Sequence, residues 1–389
     1  MKIAVIIPSF YPAIIYGGPI FSSFHTCEEL SKMEDTFVYV STTNANMYSK
    51  LNVVSNKWIT MNNNFYVKYY NEIVVGKFSF SLYKNIWKDI KSSDIVHIQS
   101  IFNTPTPISL FLAILYKKPI LLSPRGSLGG WCLGNGSRFK KNWINWFIKP
   151  FAHKLIWHAT SEQEKSEIQA IFPDVKVEVI SNGVKYNLFQ KSSVLSKLEF
   201  MKKYADKALD ASKIIVSMGR LQKKKGFDIL IDSFAKVLDK YPNAKLFIAG
   251  QDEGEEKNIL KQINNLDLQN KVFLTGAISV QDKVDFLANA DLFVLPSHNE
   301  NFGNVYVESL AAGTPIIAST KTPWSEVEKA DCGKWVDNSV EATSQAILEM
   351  LGKNRVMMRV NSKKIAEKYD WKNVAFQFKE VFERKIKEK

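Results

Sequence analysis

Four things are scarce in this sequence, and each scarcity narrows what the chain can be. Cys27, Cys132 and Cys332 are far apart, odd in number and without a Cys-x-x-Cys spacing. That excludes a disulfide scaffold and fits reduced thiols in the cytoplasm. The five histidines are scattered, and no Asp-x-Asp pair accompanies them, so neither a metal site nor a cofactor is expected. The longest apolar run, around 108–116, stops at Lys117-Lys118, and only residues 3–7 precede Pro8 at the start. These runs are too short for a membrane span or the apolar part of a signal peptide. Acid is missing between Ile95 and Ser161, where Lys117, Lys118, Arg125, Arg138, Lys140, Lys141, Lys149 and Lys154 all fall.

The net charge of +13 is therefore unevenly spread. Within the acid-free stretch, Phe139, Trp143, Trp146, Phe147 and Pro150 follow helical spacing, with Arg138, Lys141, Asn142, Asn145 and Lys149 opposite them. Such a stripe either packs on its own sheet or lies against an anionic membrane, which would place the chain peripherally on the inner face of the cytoplasmic membrane. Nucleic-acid binding is not expected, because no recognition motif accompanies the charge.

At 389 residues the chain is too long for one ordinary core, and 46% hydrophobic content is enough for two. Strand-like runs at 3–7, 36–40, 95–98, 120–123, 155–159 and 177–180 alternate with helix-length segments, which predicts parallel βαβ units. The alternation resumes after residue 212. The mixed-charge segment 186–212 reads as linker plus a surface helix, leaving domains at 1–185 and 213–370, followed by a C-terminal helix at 371–389. Both domains read as Rossmann-like α/β units, but neither carries a full Gly-x-Gly-x-x-Gly fingerprint, which argues against a dinucleotide enzyme.

The chemistry concentrates in two strand-to-helix crossovers. The buried run Asp291-Leu292-Phe293-Val294-Leu295 leads into Glu300, Phe302-Gly303-Asn304 and a helix carrying Glu308. Two acids near a helix start can simply complement its dipole. Here, however, they fall where α/β sheets bind ligands, on an apolar helix that must pack against the sheet. The second crossover follows Ile214-Ile215-Val216-Ser217-Met218 and reads Gly219-Arg220-Leu221-Gln222-Lys223-Lys224-Lys225-Gly226. Arg220 can fork two hydrogen bonds onto a phosphate and Lys225 adds a compact charge, a combination suited to a diphosphate.

These motifs, with Leu246-Phe247-Ile248-Ala249-Gly250, Val272-Phe273-Leu274-Thr275-Gly276, Ser123-Pro124-Arg125-Gly126, Ile180-Ser181-Asn182-Gly183-Val184 and the Gly17-Gly18-Pro19 loop, closely resemble the family-four retaining glycosyltransferases of the GT-B fold. The resemblance implies two Rossmann-like domains with parallel sheets facing an interdomain cleft, and a last helix that braces the first domain. It implies a metal-independent transferase moving a hexose from a nucleotide diphosphate sugar, with UDP favoured by family frequency. The acceptor hydroxyl would belong to a glycan, lipid-linked on the evidence of the basic aromatic stripe, in bacterial surface polysaccharide assembly such as O-antigen or capsule.

Carried over by resemblance, Glu300 contacts donor-sugar hydroxyls and Glu308 the ribose, while the backbone amides of Phe302, Gly303 and Asn304 touch sugar or phosphate. Arg220 and Lys225 cradle the diphosphate, Gly17 and Gly18 close over it, and Gly276 and Ile278 lie beside the base. Arg125 and Asn182 fall to the donor phosphate or the acceptor side. His97 aligns with a segment usually reading His-x-His, whose second place here is Gln99. Gln99 can bond a hydroxyl but cannot carry a proton near neutral pH, and His97 reads either as catalytic or as structural. A nucleotide-sugar epimerase and a non-catalytic sugar-nucleotide-binding protein remain as alternatives.

Overall fold

A computed structural model describes every residue except 48, 74–77, 135–137, 192–194, 206–210 and 389. The chain divides into two compact units, residues 1–182 with 371–389, and residues 183–370.

In the first unit, β1 (Lys2–Ser9), β2 (Phe37–Thr43), β3 (Trp58–Asn62), β4 (Phe65–Tyr70), β5 (Ile95–Gln99), β6 (Ile120–Ser123), β7 (Ile156–Ala159) and β8 (Lys176–Val179) form one sheet. Its order is β8-β7-β6-β5-β1-β2-β4-β3, parallel throughout except for β3 against β4. The chain leaves β1 in one direction along the sheet and returns to β5 on the other side, so the order reverses between them. Ile6, Val96, Ile98 and Leu122 bury one face of this sheet beneath Leu82, Ile86 and Leu110. Ile3, Val5, Ile95 and Leu121 bury the other, against Cys27 and Leu30 of the helix Gly18–Ser31 and against Val374, Phe378, Val381 and Phe382 of the C-terminal helix Trp371–Lys387. Each buried phenylalanine removes enough apolar surface from water to contribute about 1.5–3 kcal/mol, so the last helix is part of the first unit's core.

The second unit contains β9 (Ile214–Met218), β10 (Lys245–Ala249), β11 (Val272–Gly276), β12 (Leu292–Leu295), β13 (Ile316–Ser319) and β14 (Gly333–Val336). They form an all-parallel sheet in the order β11-β10-β9-β12-β13-β14, the doubly wound arrangement with its switch point between β9 and β12. Both central strands are fully buried, as their uninterrupted apolar runs require. The segment expected as a linker differs from that reading where it is described. Its helix Lys197–Ala205 buries Phe200, Met201 and Ala205 in the core of this unit, and Phe200 packs edge-on against Phe247 of β10. The lysines of that helix are its outer face, which is why the segment reads as polar. The remainder of the expected linker includes 192–194 and 206–210, outside the described residues.

Candidate functional site

The loops that follow β9 and β12 meet at the switch point of the second sheet. Gly226 ends the first loop at φ 68°, and a Cβ there would lie 2.3 Å from the Pro296 carbonyl oxygen, so only glycine permits this close approach. The His298 N–H donates to the Lys224 carbonyl and ties the two loops together. This brings Lys225 Nζ to 2.5 Å from Glu300 Oε1, which also accepts from Ser297 Oγ at 3.0 Å. Both charged side chains are largely withdrawn from water. Burial alone would raise the Glu300 carboxyl, but Lys225, Lys224 and Ser297 outweigh it and hold the group below its usual 4.5. Glu300 is thus an ionised acceptor with one oxygen engaged by a cation.

Gly303 opens the helix Asn304–Ala311 at φ 76°, where a Cβ would meet the Tyr306 ring at 2.6 Å. Phe302 is a core residue: its ring packs on Trp324, and its carbonyl accepts from Trp324 Nε1 at 2.6 Å. Its side chain and carbonyl are therefore both engaged within the core. Glu308 takes both oxygens to Lys283 Nζ, at 2.8 and 2.9 Å. Arg220 is half exposed and pairs with Glu253 at 2.6 Å. Gly276, at φ 69°, accepts through its carbonyl from the Gly250 N–H, with open space where a Cβ would stand, and Ile278 packs at the rim of the core. Ser297 meets Glu300 locally, three positions before it in the same loop. Lys283 and Glu253 carry no local signal in the sequence and reach Glu308 and Arg220 only through the folding of the unit.

In the first unit the expected residues separate into two groups. Gln99, at the end of β5, accepts at Oε1 from Ser23 Oγ (2.6 Å), Arg125 Nη2 (2.7 Å) and Arg125 Nε (3.1 Å), while Arg125 Nη1 donates to Asn182 Oδ1 at 3.1 Å. Gln99, Arg125 and Asn182 thus form one cluster. Gly17, at φ 74°, caps the helix that begins at Gly18.

His97 faces elsewhere. Its ring is 1% exposed and lies against Phe378 and Phe382 of the C-terminal helix. His97 Nε2 lies 2.8 Å from Ser123 Oγ, Ser123 Oγ lies 2.7 Å from His158 Nδ1, and His158 Nε2 lies 2.8 Å from the Ile180 carbonyl. A carbonyl only accepts, so His158 Nε2 carries the proton and the serine donates to Nδ1. His97 Nε2–H then donates to the serine, and both rings are neutral. Burial agrees, pushing His97 well below 6.5 and His158 to about 3. The expectation of a catalytic His97 is corrected accordingly: this ring is packing material between sheet and helix, because the C-terminal helix closes over it.

The aromatic stripe is divided between core and surface. Trp143 turns inward and donates from Nε1 to the Ile101 carbonyl, whereas Phe139 and Trp146 are 62% and 68% exposed. Among the described residues, no group of His, Cys, Asp or Glu has the placement to hold a metal ion, and no helix is long and apolar enough to cross a membrane.

Residues 202–369 match the family Glycosyl transferases group 1. A glycosyltransferase of Methanocaldococcus jannaschii is 32% identical over 233 residues, covering 57% of this chain and 58% of its own. The alpha-monoglucosyldiacylglycerol synthase of Streptococcus pneumoniae is 28% identical over 232 residues, 58% of this chain and 51% of its own. The chain spans about half the length of the curated relatives it matches. The structure of Anabaena HepE in complex with UDP and glucose is similar with a TM-score of 0.72 at 18% identity, over 99% of this chain and 100% of that one, a likeness that shows the fold. The chain has the GT-B fold, and its residues 202–369 match the glycosyl transferases group 1 family.

Proposed function

We propose that this chain is a metal-independent, retaining glycosyltransferase that moves a hexose from a nucleotide diphosphate sugar, UDP in the first instance, to a hydroxyl of a lipid-linked glycan in bacterial surface polysaccharide assembly. The observation that carries this reading is the Lys225–Glu300 pair at the switch point of the second sheet. Breaking a sugar–diphosphate bond builds negative charge on the leaving oxygen. A lysine already fixed in position stabilises that charge without reorganising during the reaction. Arg220 joins it by exchanging Glu253 for phosphate oxygens, an inexpensive exchange because the present pair is exposed and such pairs contribute only about 0–1 kcal/mol. These two side chains supply the positive charge that a divalent ion supplies in other transferases.

Glu300, kept ionised, accepts hydrogen bonds from donor-sugar hydroxyls, and its second oxygen is the one left for them. Glu308 holds the ribose, with Lys283 fixing the direction of its carboxylate. Gly17 and Gly18 present backbone to the donor phosphates, and Gly276 and Ile278 lie beside the base. Gln99, Arg125 and Asn182 serve the acceptor side.

The lipid-linked acceptor is supported by the exposed Phe139 and Trp146, which lie in the acid-free, lysine-rich stretch, and by a relative whose name is that of a glycolipid synthase. Such a face suits peripheral attachment to an anionic membrane from the cytoplasmic side. The function is tested by incubating the protein with UDP- and GDP-sugars and a membrane lipid extract in the presence of chelator. Lipid-dependent release of one nucleotide with a matching glycolipid is the expected result, and isomerised donor without lipid would point to an epimerase instead.

A further inference from the structure

The loop that carries Glu300 is shaped from behind by the segment that ends β13 and follows it. Three hydrogen bonds join the two. Ser319 Oγ donates to the Ser297 carbonyl at 2.5 Å, the Glu300 N–H donates to the Lys321 carbonyl at 3.3 Å, and Trp324 Nε1 donates to the Phe302 carbonyl at 2.6 Å. Ser319 and Trp324 are each 1% exposed, so their bonds are made inside the core. The Trp324 ring is itself held among those of Phe302, Tyr306 and Tyr369, at centroid distances of 5.1, 5.9 and 5.6 Å. Ser319 Oγ also accepts from the Lys321 N–H at 3.2 Å, which braces the segment that holds the loop.

These bonds fix directions as well as positions. In a trans peptide, as both of those concerned are, the carbonyl oxygen and the following N–H point opposite ways. With the Ser297 carbonyl drawn to Ser319, the His298 N–H is sent the other way, and it donates to the Lys224 carbonyl at 2.9 Å. That bond ties the two loops together beside Lys225 and Glu300. With the Phe302 carbonyl drawn to Trp324, the Gly303 N–H is turned away from the core, and among the described residues it donates to nothing. Turning either peptide over would strand a buried donor and a buried carbonyl, so each bond is expected to favour the observed orientation by roughly tenfold or more.

We propose that Trp324 and Ser319 are positioning residues for sugar transfer. From within the core they set the peptide orientations of the Glu300 loop, and through these the direction of the Gly303 N–H and the meeting of Lys225 with Glu300. The inference deepens the transferase reading and rests on it for the statement that this loop receives the donor sugar.

The test compares wild type, Trp324→Phe, Ser319→Ala and Thr314→Val in the full chain. Trp324→Phe keeps an aromatic ring and removes the indole N–H, and Ser319→Ala removes the hydroxyl. Thr314→Val is the control: it deletes a fully buried hydroxyl of the same unit, which donates to the Leu287 carbonyl at 2.6 Å and not to the loop. Melting temperature, carboxyl-carbon NMR titration of labelled Glu300, and kcat/KM with the donor are read in each. Both loop variants are expected to raise the Glu300 midpoint, because a retreat from Lys225 and Ser297 leaves burial to dominate. They are expected to lower kcat/KM by roughly tenfold or more. Thr314→Val should lower the melting temperature while leaving the midpoint and kcat/KM in place. An unmoved midpoint in either loop variant, an equal shift in Thr314→Val, or a shifted midpoint with kcat/KM close to that of wild type would overturn the proposal. Midpoints shifted in the two loop variants alone, in a protein whose wild type transfers no sugar from any donor, would overturn the transferase reading and leave the control of the loop by Trp324 and Ser319 standing.

Discussion

Lys225 Nζ and Glu300 Oε1 lie 2.5 Å apart although 75 positions separate the residues in the chain. They meet because β9 and β12 are neighbours in the sheet, so the loops that follow them leave it side by side. In the transferase reading this pair has two duties, neutralising the leaving diphosphate and keeping the sugar-binding carboxylate ionised. Lys225→Ala should therefore lower kcat/KM by roughly 100-fold or more, the scale of removing one preorganised charge donor. Steady-state kinetics with the donor identified by the panel check this, and near-normal turnover would remove Lys225 from the cradle.

The same pair makes a pH prediction. Glu300 titrates below 4.5 in the folded protein, so on acidification the unfolded chain takes up this proton first. The pair's contribution to stability is complete above about pH 4.5 and is lost as pH falls through the folded value. Lys225→Met strips away the cation and leaves burial to dominate, which raises the Glu300 carboxyl. Carbonyl-carbon NMR titration of labelled Glu300 should move upward in that variant; an unchanged midpoint would show that Lys225 is not the controlling charge.

The two buried histidines act in the pH range above this. Because His97 and His158 stay neutral when folded, only the unfolded chain protonates them below pH 6.5. Stability is full above that pH. Below it, each ring removes up to about 1.4 kcal/mol per pH unit until its folded value is reached. Urea melts at pH 7 and pH 5 should show this loss, and His158→Gln should remove about half of the slope. His97→Gln should keep turnover within about threefold of wild type, because the ring packs beneath Phe378 and Phe382.

Phe378 and Phe382 also make the last helix a requirement of the first unit. Phe378→Ala is expected to destabilise that unit by about 3–5 kcal/mol, the cost of emptying a buried phenylalanine site. Differential scanning calorimetry with domain-resolved proteolysis would show earlier melting of residues 1–182 while residues 183–370 keep their protection.

Phe139→Ser with Trp146→Ser tests the membrane face. Both rings are mostly in water, so the melting temperature should be preserved while sedimentation with anionic vesicles falls about tenfold or more, since each ring is a large apolar contribution to membrane binding. Unchanged sedimentation would leave the basic stretch without a lipid role.

Much of this arrangement could be read from the chain because its central strands are buried on both faces. Their apolar runs mark β1, β5, β6, β9 and β12 without help from long-range contacts. Glu300 and Lys225 follow directly, since each stands just past such a run. The edge strand β3 is not legible because Trp58–Asn62 is largely exposed and shows no buried alternation. The helix Lys197–Ala205 escaped because three buried residues, Phe200, Met201 and Ala205, are interleaved with lysines. The partners Lys283, Glu253 and Ser23 were illegible for a different reason. Each meets its site residue only after distant segments are folded together, as when Ser23 reaches Gln99 across 76 positions.

The most direct test of the central claim compares wild type, Lys225→Ala and Glu300→Gln for nucleotide release and glycolipid formation from a panel of UDP- and GDP-sugars, with membrane lipid extract and chelator present. Chelator-resistant, lipid-dependent release from one donor by wild type, with an α-linked product and a loss of roughly 100-fold or more in both variants, is the predicted result. Release that needs a divalent ion, a β-linked product, or full activity in both variants would contradict it.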